Sequence, residues 1–158
     1  MLGIGNILLQ DEGFGVRVVE ELERRYHFPD TVKLLDGGTL GLNLLGFISE
    51  TDKLIIIDAV DAQSMPGTFF QFDGAAVQTY LHEKVSLHEL GVKEILIHLE
   101  LSGKKAEEVV IIGVQPQSLD LGLELTALIG SKVERSINAV ISQLQGWGVE
   151  VKERLLYS

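Results

Sequence analysis

The chain contains no cysteine. Disulfides, thiolate nucleophiles and cysteine-bound zinc or iron–sulfur sites are therefore excluded, and any metal must be held by His, Asp, Glu or backbone oxygen. The absence is compatible with the cytosol. Aromatic residues are also scarce, at 6%, so a core has to be built from Leu, Ile and Val, as suits buried parallel strands. Basic residues number 13 against 23 acidic ones, for a formal net charge of −10. That balance argues against a nucleic-acid partner, which clustered Lys and Arg would have to hold. No apolar run approaches the ~20 residues of a membrane span, and the first residues lack the basic stretch of a secretory signal. Neither a membrane nor export is expected. The Gly-Lys-Ser/Thr phosphate loop, the Gly-x-Ser-x-Gly elbow and the His-Glu-x-x-His helix are missing too. Asp36-Gly37-Gly38-Thr39 is not the Asp-Thr/Ser-Gly of pepsin-like proteases.

What remains is a chain of 158 residues with 46% hydrophobic side chains. That is enough for one domain, residues 1–158, burying roughly two-thirds of its unfolded surface. No repeat, linker or low-complexity segment interrupts it. Short apolar runs alternate with helical periodicity. Leu2 to Ile4 reads as the end of a first strand. It is short, as if the chain began inside an element that is longer in its relatives. Phe14, Val18, Leu22 and Tyr26, four apart, mark one face of a helix closed by His27 to Asp30. Val32 to Leu35 is a second strand, and Leu40 to Ile48 a second helix. Leu54 to Ile57 is a buried strand ending at Asp58. Pro66-Gly67 turns the chain into a strand at Thr68 to Phe72, followed by a short helix at Val77 to Leu81. A longer helix covers Leu90 to Leu101, and Val109 to Ile112 is another buried strand. A single last helix is expected over Leu125 to Leu144, with an edge strand at Val149 to Val151. This βαβα order predicts an α/β three-layer sandwich.

The chemistry gathers at strand ends. Asp11-Glu12, Asp36 and Asp58 each follow a predicted parallel strand, and such ends lie along one edge of an open α/β sheet. Singly, each acid reads equally well as a helix cap; three together read better as a site. Of the histidines, His27 and His98 fall within or at the end of helical patterns and read as structural. His82 and His88 stand in the polar connection from Leu81 to Leu90, which can fold over a strand-end cleft. One imidazole and two carboxylates would suit nickel or zinc and leave a coordination position open.

The opening run Gly3-Ile4-Gly5-Asn6-Ile7-Leu8 also resembles a dinucleotide fingerprint. Leu8 stands where a third small residue is needed, and Ile7-Leu8-Leu9 delays the helix whose N-terminus would cradle a pyrophosphate. A nucleotide-binding α/β protein is therefore the weaker reading.

Taken in order, several segments resemble the nickel–iron hydrogenase maturation endopeptidases. They are Gly3 to Gly15, Asp36-Gly37-Gly38-Thr39, Leu54 to Ala59, Pro66-Gly67, Ser86-Leu87-His88-Glu89-Leu90-Gly91 and Gly113 to Leu119. The resemblance spans nearly the whole chain. It implies a small cytoplasmic enzyme with a twisted, mostly parallel five-stranded sheet between helices. It also implies removal of a C-terminal extension from the hydrogenase large-subunit precursor, once nickel has been inserted. The family's metal-binding positions fall on Glu12, Asp58 and His88, which would read nickel carried by the precursor or take another divalent cation. Asp36 falls in the family's Asp-Gly-Gly-Thr motif and is the candidate catalytic carboxylate of an aspartyl-type peptidase, as base or positioning group. A non-catalytic precursor-binding chaperone on the same fold is the alternative of a different class. A monomer is the default expectation.

Overall fold

The two aliphatic runs that read as buried strands form the centre of the sheet. In the computed structural model, which describes residues 1–37, 50–83, 101, 103 and 106–155, β4 (Lys53–Ala59) and β6 (Glu108–Val114) pair in parallel along seven residues. Ile55, Ile56, Ile57, Ile111 and Ile112 are fully buried, because both faces of this pair are covered. β1 (Leu2–Gly3) lies on the other side of β4, with β3 (Leu35–Asp36) beyond it. β5 (Phe69–Asp73) closes the far edge antiparallel to β6. The order β3-β1-β4-β6-β5 is the expected mostly parallel five-stranded sheet between helices.

Side-chain alternation sorts the core into two layers. Ile55, Ile57, Ala59, Val110, Ile112 and Val114 face α1 (Phe14–Arg25) and the last long helix (Val133–Gly146). Leu2, Leu54, Ile56 and Ile111 face the opposite side, where Val77 of α2 (Gly74–Glu83) packs. The helix predicted from Phe14 runs as read to Arg25, and Tyr26, expected on its face, lies beyond its end. Phe14, Val18 and Leu22 are wholly buried, and Arg24 and Arg25 in its last turn complement the helix dipole.

Five local readings are corrected. The segment expected to close α1 is instead a strand: β2 (Tyr26–His27) pairs antiparallel with β7 (Lys152–Glu153) in a separate two-stranded sheet. The edge strand expected at Val149 to Val151 is therefore displaced to Lys152–Glu153, where the partner lies. The last helix is two: α3 (Ala127–Gly130) and α4 (Val133–Gly146). Gly130 is a poor helix residue, and the Ser131 hydroxyl donates back to the Leu128 carbonyl, competing with the helical ladder. The second strand is only Leu35–Asp36, since β1 beside it has two residues to offer. Finally, His82 belongs to α2, not to a loop. The helices expected at Leu40 to Ile48 and Leu90 to Leu101 fall almost wholly outside the described residues.

Candidate active site

The expected convergence of acids depends on how the chain leaves β1. Gly5 has φ +146°, and a Cβ there would collide with the carbonyl oxygen of Glu12. The turn holding Glu12 thus folds directly back onto Gly5, two residues past the end of the strand. This turn is a single 3₁₀ segment, Gln10–Gly13, which delays α1 to Phe14. Ile4 N–H donates to the Ile57 carbonyl at 2.9 Å, and a Cβ on Gly15 would strike the carbonyl oxygens of Ile57 and Ile4. Glycine is therefore required where α1 crosses the carboxyl ends of β1 and β4. Gly3, Gly5 and Gly15 all serve internal close approaches, which leaves none of them as a phosphate cradle. The nucleotide reading fails on that ground.

Adjacent Asp11 and Glu12 do different work. Asp11 is wholly buried. Its carboxylate accepts from the backbone N–H groups of Gln117, Ser118 and Thr126 at 2.9, 2.9 and 2.8 Å and from the Thr126 hydroxyl. It ties the loop after β6 to the turn after β1. Gly113 to Leu119 carries part of the family resemblance, but neither its donation to Asp11 nor Thr126 was singled out from the sequence, because a backbone donor leaves no residue-type signature. The role of Gln115, which lies in the same resembling segment, was likewise not read. Its side-chain oxygen accepts from Ala62 and Ser64 N–H, and its amide donates to Asp61, which holds the loop after β4.

Glu12 and Asp58 are 6% and 3% exposed. Both stand at the carboxyl edge, Glu12 on the 3₁₀ turn and Asp58 near the end of β4, opposite Gly113 of β6. Burying carboxylates is costly without donors or a cation nearby, so a positive charge reaching this edge gains more than it would in water.

Asp36 ends β3 at the same edge. The register sets it level with Gly3 and Ile57, two strands from β4, or roughly 10 Å at ~4.8 Å per strand. Pleat parity directs Asp36 to the α1 face and Asp58 to the α2 face. Gly37 agrees, since a Cβ there would meet Leu2 and Ile4 of the α2-side core. Glu12 and Asp58 thus both lie at the carboxyl edge, with Asp36 two strands from Asp58 and on the opposite face of the sheet.

His27 is exposed on β2 and pairs with Lys152 in register, at a distance from this edge in the fold. His88 and His98 lie outside the described residues. Among the described residues, no group of three His, Asp or Glu side chains is arranged to hold a metal.

A family model for hydrogenase maturation proteases matches residues 16–143. The chain is 41% identical over 155 residues to the hydrogenase 2 maturation protease of Escherichia coli K12, covering 98% of this chain and 94% of that protein. It is 43% identical to the hydrogenase expression/formation protein HupD of Bradyrhizobium diazoefficiens, covering 98% and 81% respectively. Its structure is similar to that of the hydrogenase maturating endopeptidase HybD of E. coli, with TM-score 0.89 and 40% identity over 97% of this chain and 95% of that one. A hydrogenase maturation protease HycI from Thermococcus kodakarensis superposes with TM-score 0.70 at 30% identity, over 91% and 90%. The family-model match, about 40% identity over nearly the whole chain and the shared fold leave one conclusion: this chain belongs to the hydrogenase maturation protease family and is an endopeptidase.

Proposed function

We propose that this endopeptidase trims the C-terminal extension of a nickel–iron hydrogenase large-subunit precursor. We propose further that it recognises the precursor by the nickel already seated in it, through Glu12, Asp58 and His88. The observation that carries this reading is the pair of buried carboxylates at the carboxyl edge of the sheet. Buried carboxylates discriminate strongly. A precursor that carries a divalent cation brings a charge that these carboxylates attract, whereas an empty precursor brings none. His88 supplies a nitrogen ligand in this proposal, and the nickel's remaining ligands come from the precursor. The nickel is cargo of the substrate, and the enzyme acts in the cytoplasm as a monomer.

Asp36 is proposed as a positioning carboxylate for the scissile segment. Its place two strands from Asp58 suits contact with an extended peptide lying across the strand ends better than ligation of the same ion.

The direct test is incubation of the protein with nickel-loaded and nickel-free precursor, read by intact mass. Loss of a C-terminal peptide from the loaded precursor alone is the expected result. Equal trimming of both forms would remove nickel as the signal. Tight binding of loaded precursor with no mass loss would instead favour the chaperone reading.

A further inference from the structure

Exposed leucines are unevenly distributed. Seven large hydrophobic side chains are exposed among the described residues, and five of them sit on loops at the carboxyl edge: Leu8, Met65, Leu119, Leu121 and Leu123. Four belong to two segments that are joined to each other. Gly122 N–H donates to the Leu8 carbonyl and Gln10 N–H to the Gly122 carbonyl, both at 2.9 Å, in a short parallel bridge. Asp11 ties down both ends of the same loop at Gln117, Ser118 and Thr126. Arg17 donates to the Leu123 carbonyl at 2.7 Å. These six hydrogen bonds strap the loop to the turn after β1 and hold its leucines at the surface. Leu121 remains 84% exposed.

We propose that Leu8, Leu119, Leu121 and Leu123 form the docking rim for the folded body of the hydrogenase precursor, an inference that rests on the substrate assignment above. The rim is continuous with the site, because the turn carrying Leu8 leads directly into the 3₁₀ segment that holds Asp11 and Glu12. A protein seated on these leucines is brought directly to the carboxylates. Exposed Asp120 and Glu124 alternate with the leucines, which fits a partner surface with an apolar centre and a basic border. The same charges oppose a second copy of this chain. In a two-fold pairing each acid would face its own acidic surroundings, on molecules of net charge −10.

The test is a Leu121→Ser/Leu123→Ser double variant, with Leu8→Ser as an independent second variant. Both alter exposed side chains, and an unchanged melting temperature checks the fold. Processing of nickel-loaded precursor is followed by intact mass over a range of precursor concentrations. The expected result is a KM raised about tenfold or more, as for loss of central interface anchors, with kcat within about twofold. An unchanged KM overturns the proposal. So does an equal rise in Leu155→Ser, which removes an exposed leucine elsewhere. Sedimentation showing a wild-type dimer that the double variant dissolves would assign the rim to self-association and overturn it as well. Failure of the wild-type protein to trim loaded precursor would strike the substrate assignment itself, so the two failures are distinguishable.

Discussion

The same two strands end very differently at the two edges of the sheet. At the amino edge, β4 and β6 begin with Lys53 opposite Glu108. These form an ion pair at 3.5 Å with half-exposed side chains. Trp147 donates its indole N–H to Glu108 at 2.9 Å and lies beneath the Lys53 ammonium. At the carboxyl edge, Asp58 stands opposite Gly113, which brings no side chain, and Glu12 is buried nearby. One edge pairs opposite charges in contact with water. The other concentrates like charges out of water. The first arrangement costs little and contributes little. Buried acids gathered at one sheet edge are a common feature of functional sites.

Four substitutions sharpen or break this comparison. Glu12→Gln keeps the size and removes the charge. Single-turnover processing of nickel-loaded precursor should fall at least about 1000-fold, ~4 kcal/mol in the barrier at ~1.4 kcal/mol per tenfold, with the melting temperature held. Normal processing would dissolve the functional half of the contrast. Asp11→Ala removes the acceptor of three backbone N–H groups, and urea unfolding should show a loss of about 3 kcal/mol. A loss under about 1 kcal/mol would mean that water replaces the carboxylate and that the loop after β6 is not held by it.

Gly15→Ala forces a methyl group against the Ile57 and Ile4 carbonyls. A loss of about 2 kcal/mol or more is expected from overpacking against backbone, measured in the same way. A neutral result would show that α1 can lift from the strand ends. The smallest effect belongs to a partly exposed pair that links the last turn of α1 to the first turn of α4. Arg25 contacts Glu134 through two hydrogen bonds of 2.8 and 3.0 Å. This hydrogen-bonded guanidinium holds the Glu134 carboxyl below its usual range. Since the folded pKa lies below the unfolded one, the stabilisation is present above the unfolded value and disappears as pH falls through the folded value. Glu134→Gln should cost under about 1 kcal/mol near neutral pH. The difference from wild type should close in acid, as followed by thermal melts across pH.

Residue type and spacing were sufficient for much of this protein. Leu54 to Ile57 and Val109 to Ile112 could only be buried strands, since no polar face interrupts them. The four-residue spacing from Phe14 could only be a helix resting on them. From those alone follow the α/β layers and an edge where strand-end acids collect. Leu8 and the delay to Phe14 already told against a nucleotide turn. The order of motifs, ending in the family resemblance, pointed to Glu12, Asp58 and His88.

Other features required the chain to be folded. The division of labour between Asp11 and Glu12 is invisible locally, because both are carboxylates on one turn. It appears only when a loop more than a hundred residues later in the sequence delivers backbone donors to one of them. Tyr26–His27 becomes a strand only because Lys152–Glu153 arrives beside it; a two-residue strand has no periodicity to read. Asp36 is placed to one side of Asp58 by register and pleat, which are properties of pairing and not of composition. Local interactions are written in neighbouring residues and can be read there. A buried charge, a strand partner or an exposed leucine rim depends on what distant segments bring, and only tertiary structure decides that.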